Sequence, residues 1–139
     1  MGTPFSQIYD LALIVIKDYN IEHLFATDES SFNVLMEGML VRSIPKFVGC
    51  EKPLDYNIAQ DGAEFNRALS MTEQVILADL MVLTWFESNM NDIRQMNLHL
   101  TGRDFKMYAE SQNLKEKSET FDRLREKVRQ DICDYQLNL

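Results

Sequence analysis

Apolar residues recur at helical spacing along most of this chain, and the places where the spacing fails divide it into elements. From Phe5 onward, Ile8, Tyr9, Ala12, Ile16 and Tyr19 fall three or four positions apart, the stripe of a helix packed on a core. Leu11, Leu13, Ile14 and Val15 broaden that stripe, so this helix is expected to be covered on more than one side. Thr3 can cap it, and Pro4 suits the first turn, where its missing N–H would be unpaired anyway. Asn20 is read as its end. Phe32, Leu35, Met36, Met39, Leu40 and Ile44 mark a second helix. It is expected to begin near Asp28, where Asp28 and Glu29 meet the positive end of the dipole, and to stop at Pro45.

No 3.6-residue period survives from 45 to 70. Pro45, Gly49, Pro53 and Gly62 punctuate this stretch, which predicts a long connection with short extended pieces near Phe47-Val48 and Glu64-Phe65-Asn66. A connection of that length in a small domain is usually functional or ordered by a partner. The next helix has a marked start. Ser70 and Glu73 have the S-x-x-E spacing at which each side chain satisfies the other residue's N–H. Ten of the twelve residues Val75 to Phe86 are apolar, so this helix is expected at the centre of its domain, running to about Ile93.

Met96, Leu98 and Leu100 then alternate with polar residues, a period of two that predicts an extended arm before a turn at Thr101-Gly102. From Asp104 onward there is neither Gly nor Pro, and Leu114, Phe121, Val128 and Tyr135 recur every seven residues with Leu124 and Ile132 between. The expected fold is therefore all-α: a helical bundle over 1–102 with a long 45–70 loop and a short extended arm, and a long C-terminal helix over 103–139 belonging to the same single domain. That helix carries a narrow stripe, Phe121, Leu124, Val128, Ile132 and Tyr135, on a charged surface. It is read as projecting to dock on a partner, together with Met96, Leu98 and Leu100 of the arm. The alternative, a helix folded back on its own domain, is permitted by the loop lengths.

Charge narrows the range of functions. The net charge is −8, with six basic and fourteen acidic side chains in residues 1–102 and eight of each in 103–139. Phosphate contacts need clustered Lys and Arg, so neither nucleic-acid binding nor adhesion to an anionic membrane is expected. Leu11 to Ile16 is too short and too closely bounded by charge for a signal peptide. Val75 to Phe86 falls short of the roughly 20 residues of a membrane span. Cys50 and Cys133 have no C-x-x-C partner and are read as reduced thiols in a cytoplasmic protein.

Candidate chemistry is sparse. His23 and His99 are far apart and share no ligand motif, so no metal and no cofactor is expected. Cys50 has only Lys52 nearby to lower its pKa and is read as a structural thiol. No nucleophile elbow or phosphate-binding glycine loop occurs. Asp79, inside the most apolar helix, needs a partner, for which Arg42, Arg67 and Lys46 are candidates. A catalytic acid of raised pKa is the competing reading of Asp79. Among the eight methionines, Met90 and Met96 lie outside the densest apolar run and are suspected of partner contact. The chain is expected not to be an enzyme.

The stretch Asp104-Phe105-Lys106-Met107-Tyr108-Ala109-Glu110-Ser111-Gln112-Asn113-Leu114-Lys115-Glu116-Lys117, with Ile76-Leu77-Ala78-Asp79-Leu80-Met81 upstream, resembles small proteins encoded among phage structural genes. The order of elements is similar to that of the head–tail connector (adaptor) proteins of tailed bacteriophages. The resemblance implies a homo-oligomeric ring in the virion neck, assembled in the host cytoplasm. Such a ring docks on the portal, contacts a tail or stopper protein and lets DNA pass without specific binding. An acidic subunit repeated around an axis would line that channel with negative charge. The competing readings are a small acidic phage or bacterial protein that inhibits a partner, and an enzyme built around Asp79.

Overall fold

The computed structural model describes the backbone of residues 2–18, 29–59, 62–99 and 104–139, and side chains of 2–17, 34–58, 62–88 and 118–139. In order these are strand β1 (Thr3–Pro4), helix α1 (Phe5–Asp18), helix α2 (Glu29–Ser43), a 3₁₀ turn (Ile44–Lys46), strands β2 (Tyr56–Ala59) and β3 (Gly62–Phe65), and helices α3 (Met71–His99) and α4 (Asp104–Leu137). The chain is mostly helical, but a small antiparallel sheet of order β1-β3-β2 corrects the all-α expectation.

α3 is the axis of the fold, and α1, α2 and α4 all pack on it. The reason lies in its sequence: from Ile76 to Phe86 every residue is buried. Around it gather Phe5, Ile8, Ala12 and Ile16 of α1, Met36, Met39 and Leu40 of α2, and Leu124, Val128 and Tyr135 of α4. The expected central helix is therefore where the sequence placed it. The 95–100 arm is not: α3 continues through His99, so Gln95 to His99 are helical, and Leu100 lies outside the described residues. The physical reason is that three alternating apolar residues are too few to interrupt a helix that meets no Gly or Pro between Ser70 and Thr101.

The sheet closes the end of the bundle where α1 and α3 begin. Thr3 pairs with Phe65 and Pro4 with Glu64, while Tyr56 to Ala59 run against Phe65 to Gly62. Thr3 is therefore a strand residue rather than a helix cap. Its hydroxyl accepts from the Leu69 N–H at 2.8 Å and lies 3.3 Å from the Arg67 carbonyl it can donate to, which ties the start of α1 to the start of α3. Phe65 is fully buried against Phe5, ring centroids 4.7 Å apart. The extended piece expected at Glu64-Phe65 is present, whereas Phe47-Val48 forms a turn. α2 ends at Ser43, just before Pro45, the proline expected to stop it, while Asp28 and Asn20 lie outside the described residues.

Two polar ties anchor the end of α2 and the 3₁₀ turn after it to α3. The Ser43 and Thr84 hydroxyls are 3.2 Å apart, and Lys46 Nζ donates to Thr84 Oγ1 at 2.8 Å. Both hydroxyls also bond back to their own helix, Ser43 to the Met39 carbonyl and Thr84 to that of Leu80, so neither buried polar group is left unsatisfied.

Candidate functional site

The densest polar constellation among the described residues forms where α3 begins, α4 ends and the 45–55 loop crosses between them. It starts with the capping box. The Ser70 N–H donates to Glu73 Oε1 at 2.7 Å, and the Glu73 N–H donates to Ser70 Oγ at 3.2 Å. Glu73 is 1 % exposed, an unusual place for a carboxylate, and it collects further donors. The Tyr135 hydroxyl donates to Oε2 at 2.7 Å, and Lys52 Nζ donates to Oε1 at 3.1 Å. Cys50 Sγ lies 3.8 Å from Oε2. Tyr135 in turn accepts from the Glu51 N–H at 2.9 Å and packs its ring edge-on against Phe47.

Gln136 reaches over the same loop, donating to the Val48 carbonyl at 2.7 Å. The turn beneath it needs Gly49, which has φ +79° and lies so close to the Gln136 amide that a Cβ would collide with it. Three segments distant in sequence are thus fastened at one point.

The electrostatics of this cluster favour holding over reacting. Burial pushes Glu73 upward, but the bonds from the Ser70 N–H, Tyr135, Lys52 and the Ser70 hydroxyl outweigh it and hold the carboxyl below its ordinary value. Glu73 is therefore ionised at neutral pH. Burial chiefly, with the Glu73 hydrogen bond adding, pushes Tyr135 far above the ordinary tyrosine value. Burial likewise raises the Cys50 thiol, so it stays protonated and is a poor nucleophile.

Beside the cluster lies an open groove of about 450 Å³, lined by Met71, Val75 and Ile76 of α3 and by Asp131, Asp134 and Tyr135 of α4, among others. Both carboxylates are engaged locally, Asp131 by Lys127 at 3.3 Å and Asp134 by Gln130 at 3.0 Å. Among the described residues, no group of three or more His, Cys, Asp or Glu is placed to hold a metal ion. No helix there is long and apolar enough to cross a membrane.

Asp79 is fully buried, and its partner is Lys127 of α4 at 3.0 Å rather than Arg42, Arg67 or Lys46. Its second oxygen, Oδ1, has no hydrogen-bond partner. Desolvation raises Asp79 above the ordinary aspartate value against the pull of Lys127. Desolvation also pulls Lys127 down, but Asp79 and Asp131 together more than compensate, so the ammonium is held above its ordinary value.

The stripe on α4 turns inward. Leu124, Val128 and Tyr135 are buried in the chain's own core, with Phe121 and Ile132 packed half-buried against it. Phe121 stacks on Phe86, centroids 5.9 Å apart. The expectation that these five residues project toward a partner is therefore corrected. A stripe this narrow suffices because α4 packs chiefly on one neighbour, α3. Met96 and Leu98 lie within α3, apart from this cluster in the chain, and the side chains of Met90, Met96, Leu98 and His99 lie outside the described residues, as do His23 and Leu100. Cys50 is half-buried and Cys133 exposed.

Sequence reading found Glu73 as a capping residue but missed its bonds to Lys52 and Tyr135, and it missed Lys127 as the counter-ion of Asp79. Spacing gave no signal for these pairs: Lys127 and Tyr135 are eight residues apart, near one face of a helix, but Glu73 and Asp79 are six apart, roughly 120° around α3. No protein-family model, curated protein or solved structure matches this chain.

Proposed function

We propose that this chain is a structural subunit that works through contacts with other proteins and catalyses no reaction. More specifically, it is a ring-forming head–tail connector of a tailed bacteriophage, joining portal to tail or stopper protein. The observation that carries the general part is the inward commitment of the buried ionisable groups. Glu73, Asp79 and Tyr135 each bond a distant segment of the same chain. Catalysis calls for the reverse, a perturbed group turned toward a space that substrate can fill. Meanwhile Ile14, Val34, Ile58 and Met71 stand largely exposed on four different elements, apolar points at which a partner can make contact.

The specific part rests on the resemblance of Asp104 to Lys117 and Ile76 to Met81 to proteins of phage structural gene clusters. The charge supports it, since the excess of acidic residues in 1–102, repeated around a ring, makes a channel wall that repels DNA and lets it slide.

The test is light scattering and sedimentation of the purified chain, alone and with portal protein. Ring formation, or recruitment into the portal complex, is the expected result. A chain that never enters that complex overturns the connector reading. One that instead competes with nucleic acid for a basic protein moves the function to an acidic inhibitor.

A further inference from the structure

β2 is an edge strand, and its free edge is built to meet a copy of itself. The Asn66 N–H donates to the Asp55 carbonyl at 2.9 Å, which fixes the phase of the hydrogen-bond ladder. Asp55 and Asn57 turn their backbone groups toward β3, and Tyr56 and Ile58 turn theirs away. Among the described residues no strand lies on that outer side. Tyr56-Asn57-Ile58-Ala59 carries no proline, lysine or bulge, the features that usually blunt an exposed edge.

The side chains make the same point independently. Ile58 stands opposite Ala63, and Tyr56 opposite Phe65, so both lie on the face of the sheet that the core covers. Ala63 and Phe65 are buried there, and Tyr56 packs against Phe5 at 5.6 Å. Ile58 is 68 % exposed. The apolar layer therefore runs one residue past the end of the domain that should cover it.

We infer that β2 pairs antiparallel with β2 of a second copy, about a two-fold axis through Asn57. That register sets Tyr56 of each copy opposite Ile58 of the other. The outward N–H and C=O groups of both residues find partners, and each Ile58 gains an aromatic ring directly opposite it, where its own sheet offers only Ala63. The two Asn57 residues meet across the axis on the opposite, solvent face, each amide already donating to Asn66 Oδ1 of its own chain at 2.6 Å. A partner strand of other sequence could take the backbone bonds, but only the self-register supplies the Tyr56–Ile58 match from residues already present. Two four-residue edges bury far less than the roughly 1,200 Å² at the low end of standard interfaces, so the pair is weak and concentration-dependent. The contact is isologous and joins copies in twos. It does not depend on the phage reading.

A covalent trap reads this contact whatever larger assembly surrounds it. In the full chain carrying Cys133→Ser, Asn57→Cys places two thiols at a non-hydrogen-bonded pair, where Cα atoms lie about 4.5 Å apart, within disulfide reach. Mild oxidation should give a band of two chains on a non-reducing gel. Glu64→Cys, on the same face but one strand inward, should give none, because three strand spacings put the thiols about 14 Å apart. Adding Ile58→Lys to Asn57→Cys should abolish the band without changing the melting temperature, since the residue is exposed. Absence of the Asn57→Cys dimer, equal trapping at Glu64→Cys, or a band that survives Ile58→Lys would each overturn the inference.

Discussion

The Tyr135 hydroxyl donates a 2.7 Å hydrogen bond to Glu73 although 62 residues separate the two. That bond fastens the last turns of α4 to the first turn of α3 and, through Glu51 and Lys52, to the loop between α2 and the sheet. Removing only the hydroxyl isolates its contribution. Tyr135→Phe keeps the ring against Phe47 but takes a donor from a buried carboxylate. We expect a loss of roughly 1.5–3 kcal/mol, the range for hydrogen bonds to charged groups, read as a lower urea midpoint with unchanged slope.

The inward stripe of α4 predicts the outcome of truncation. Deleting 119–139 removes Leu124, Val128 and Tyr135 from the core and strips Glu73 and Asp79 of partners. The remaining chain should lose its cooperative thermal transition by circular dichroism. A truncated chain that melts cooperatively near the intact protein's temperature would show α4 to be dispensable to the core.

The Asp79–Lys127 pair should behave as a buried charge with a partly solvated partner. Lys127→Met leaves Asp79 alone among apolar side chains, where its Oδ1 is already unpartnered. Stranding a buried charge typically costs about 3–5 kcal/mol. The value here should fall toward the lower end, because Lys127 is 48 % exposed and Asp79 can take up a proton. The double variant Asp79→Leu with Lys127→Met should recover most of that loss. A double variant no more stable than Lys127→Met alone would mean that the apolar replacement does not fit between the helices.

The direction of the Glu73 shift sets a pH dependence. Its folded pKa lies below the ordinary 4.5, so the stability it contributes is complete above that value and is lost as pH falls through the depressed one. Glu73→Gln should be less stable than the parent at pH 7 and lose less on acidification. Tyr9, Tyr135 and Lys127 have folded pKa values raised above their ordinary ones. Their contributions are complete below about pH 10 and decline above it, so thermal melts should show a stability drop in strong alkali, smaller in Tyr135→Phe.

What could be read beforehand was local. The Ser70–Glu73 box, the apolar run from Val75 to Phe86 and the stop at Pro45 are each written within a few residues, and each is where the sequence put it. The sheet was only half legible, because Thr3–Pro4 becomes a strand solely through pairing with residues about 60 positions away. The alternation at 95–100 was a weak local pattern overridden by an uninterrupted helix. Asp79 was recognised as needing a counter-ion, but Lys127 is 48 residues distant and nothing in its neighbourhood distinguishes it from the other cations of α4. Narrowness misled for the α4 stripe, since a docking seam and a helix with a single large neighbour have the same pattern.

The Tyr135–Glu73 fastening has a consequence for synthesis on the ribosome. α3 is made before the residues that neutralise Asp79 and complete the shell around Glu73. At roughly 5–20 residues per second, the 62 residues between Glu73 and Tyr135 take about 3–12 s to add. During that interval the most apolar helix of the nascent chain lacks the α4 residues that cover it. Closure of the core therefore waits on synthesis of α4, and a message that stops short of it yields an exposed α3 rather than a smaller folded domain.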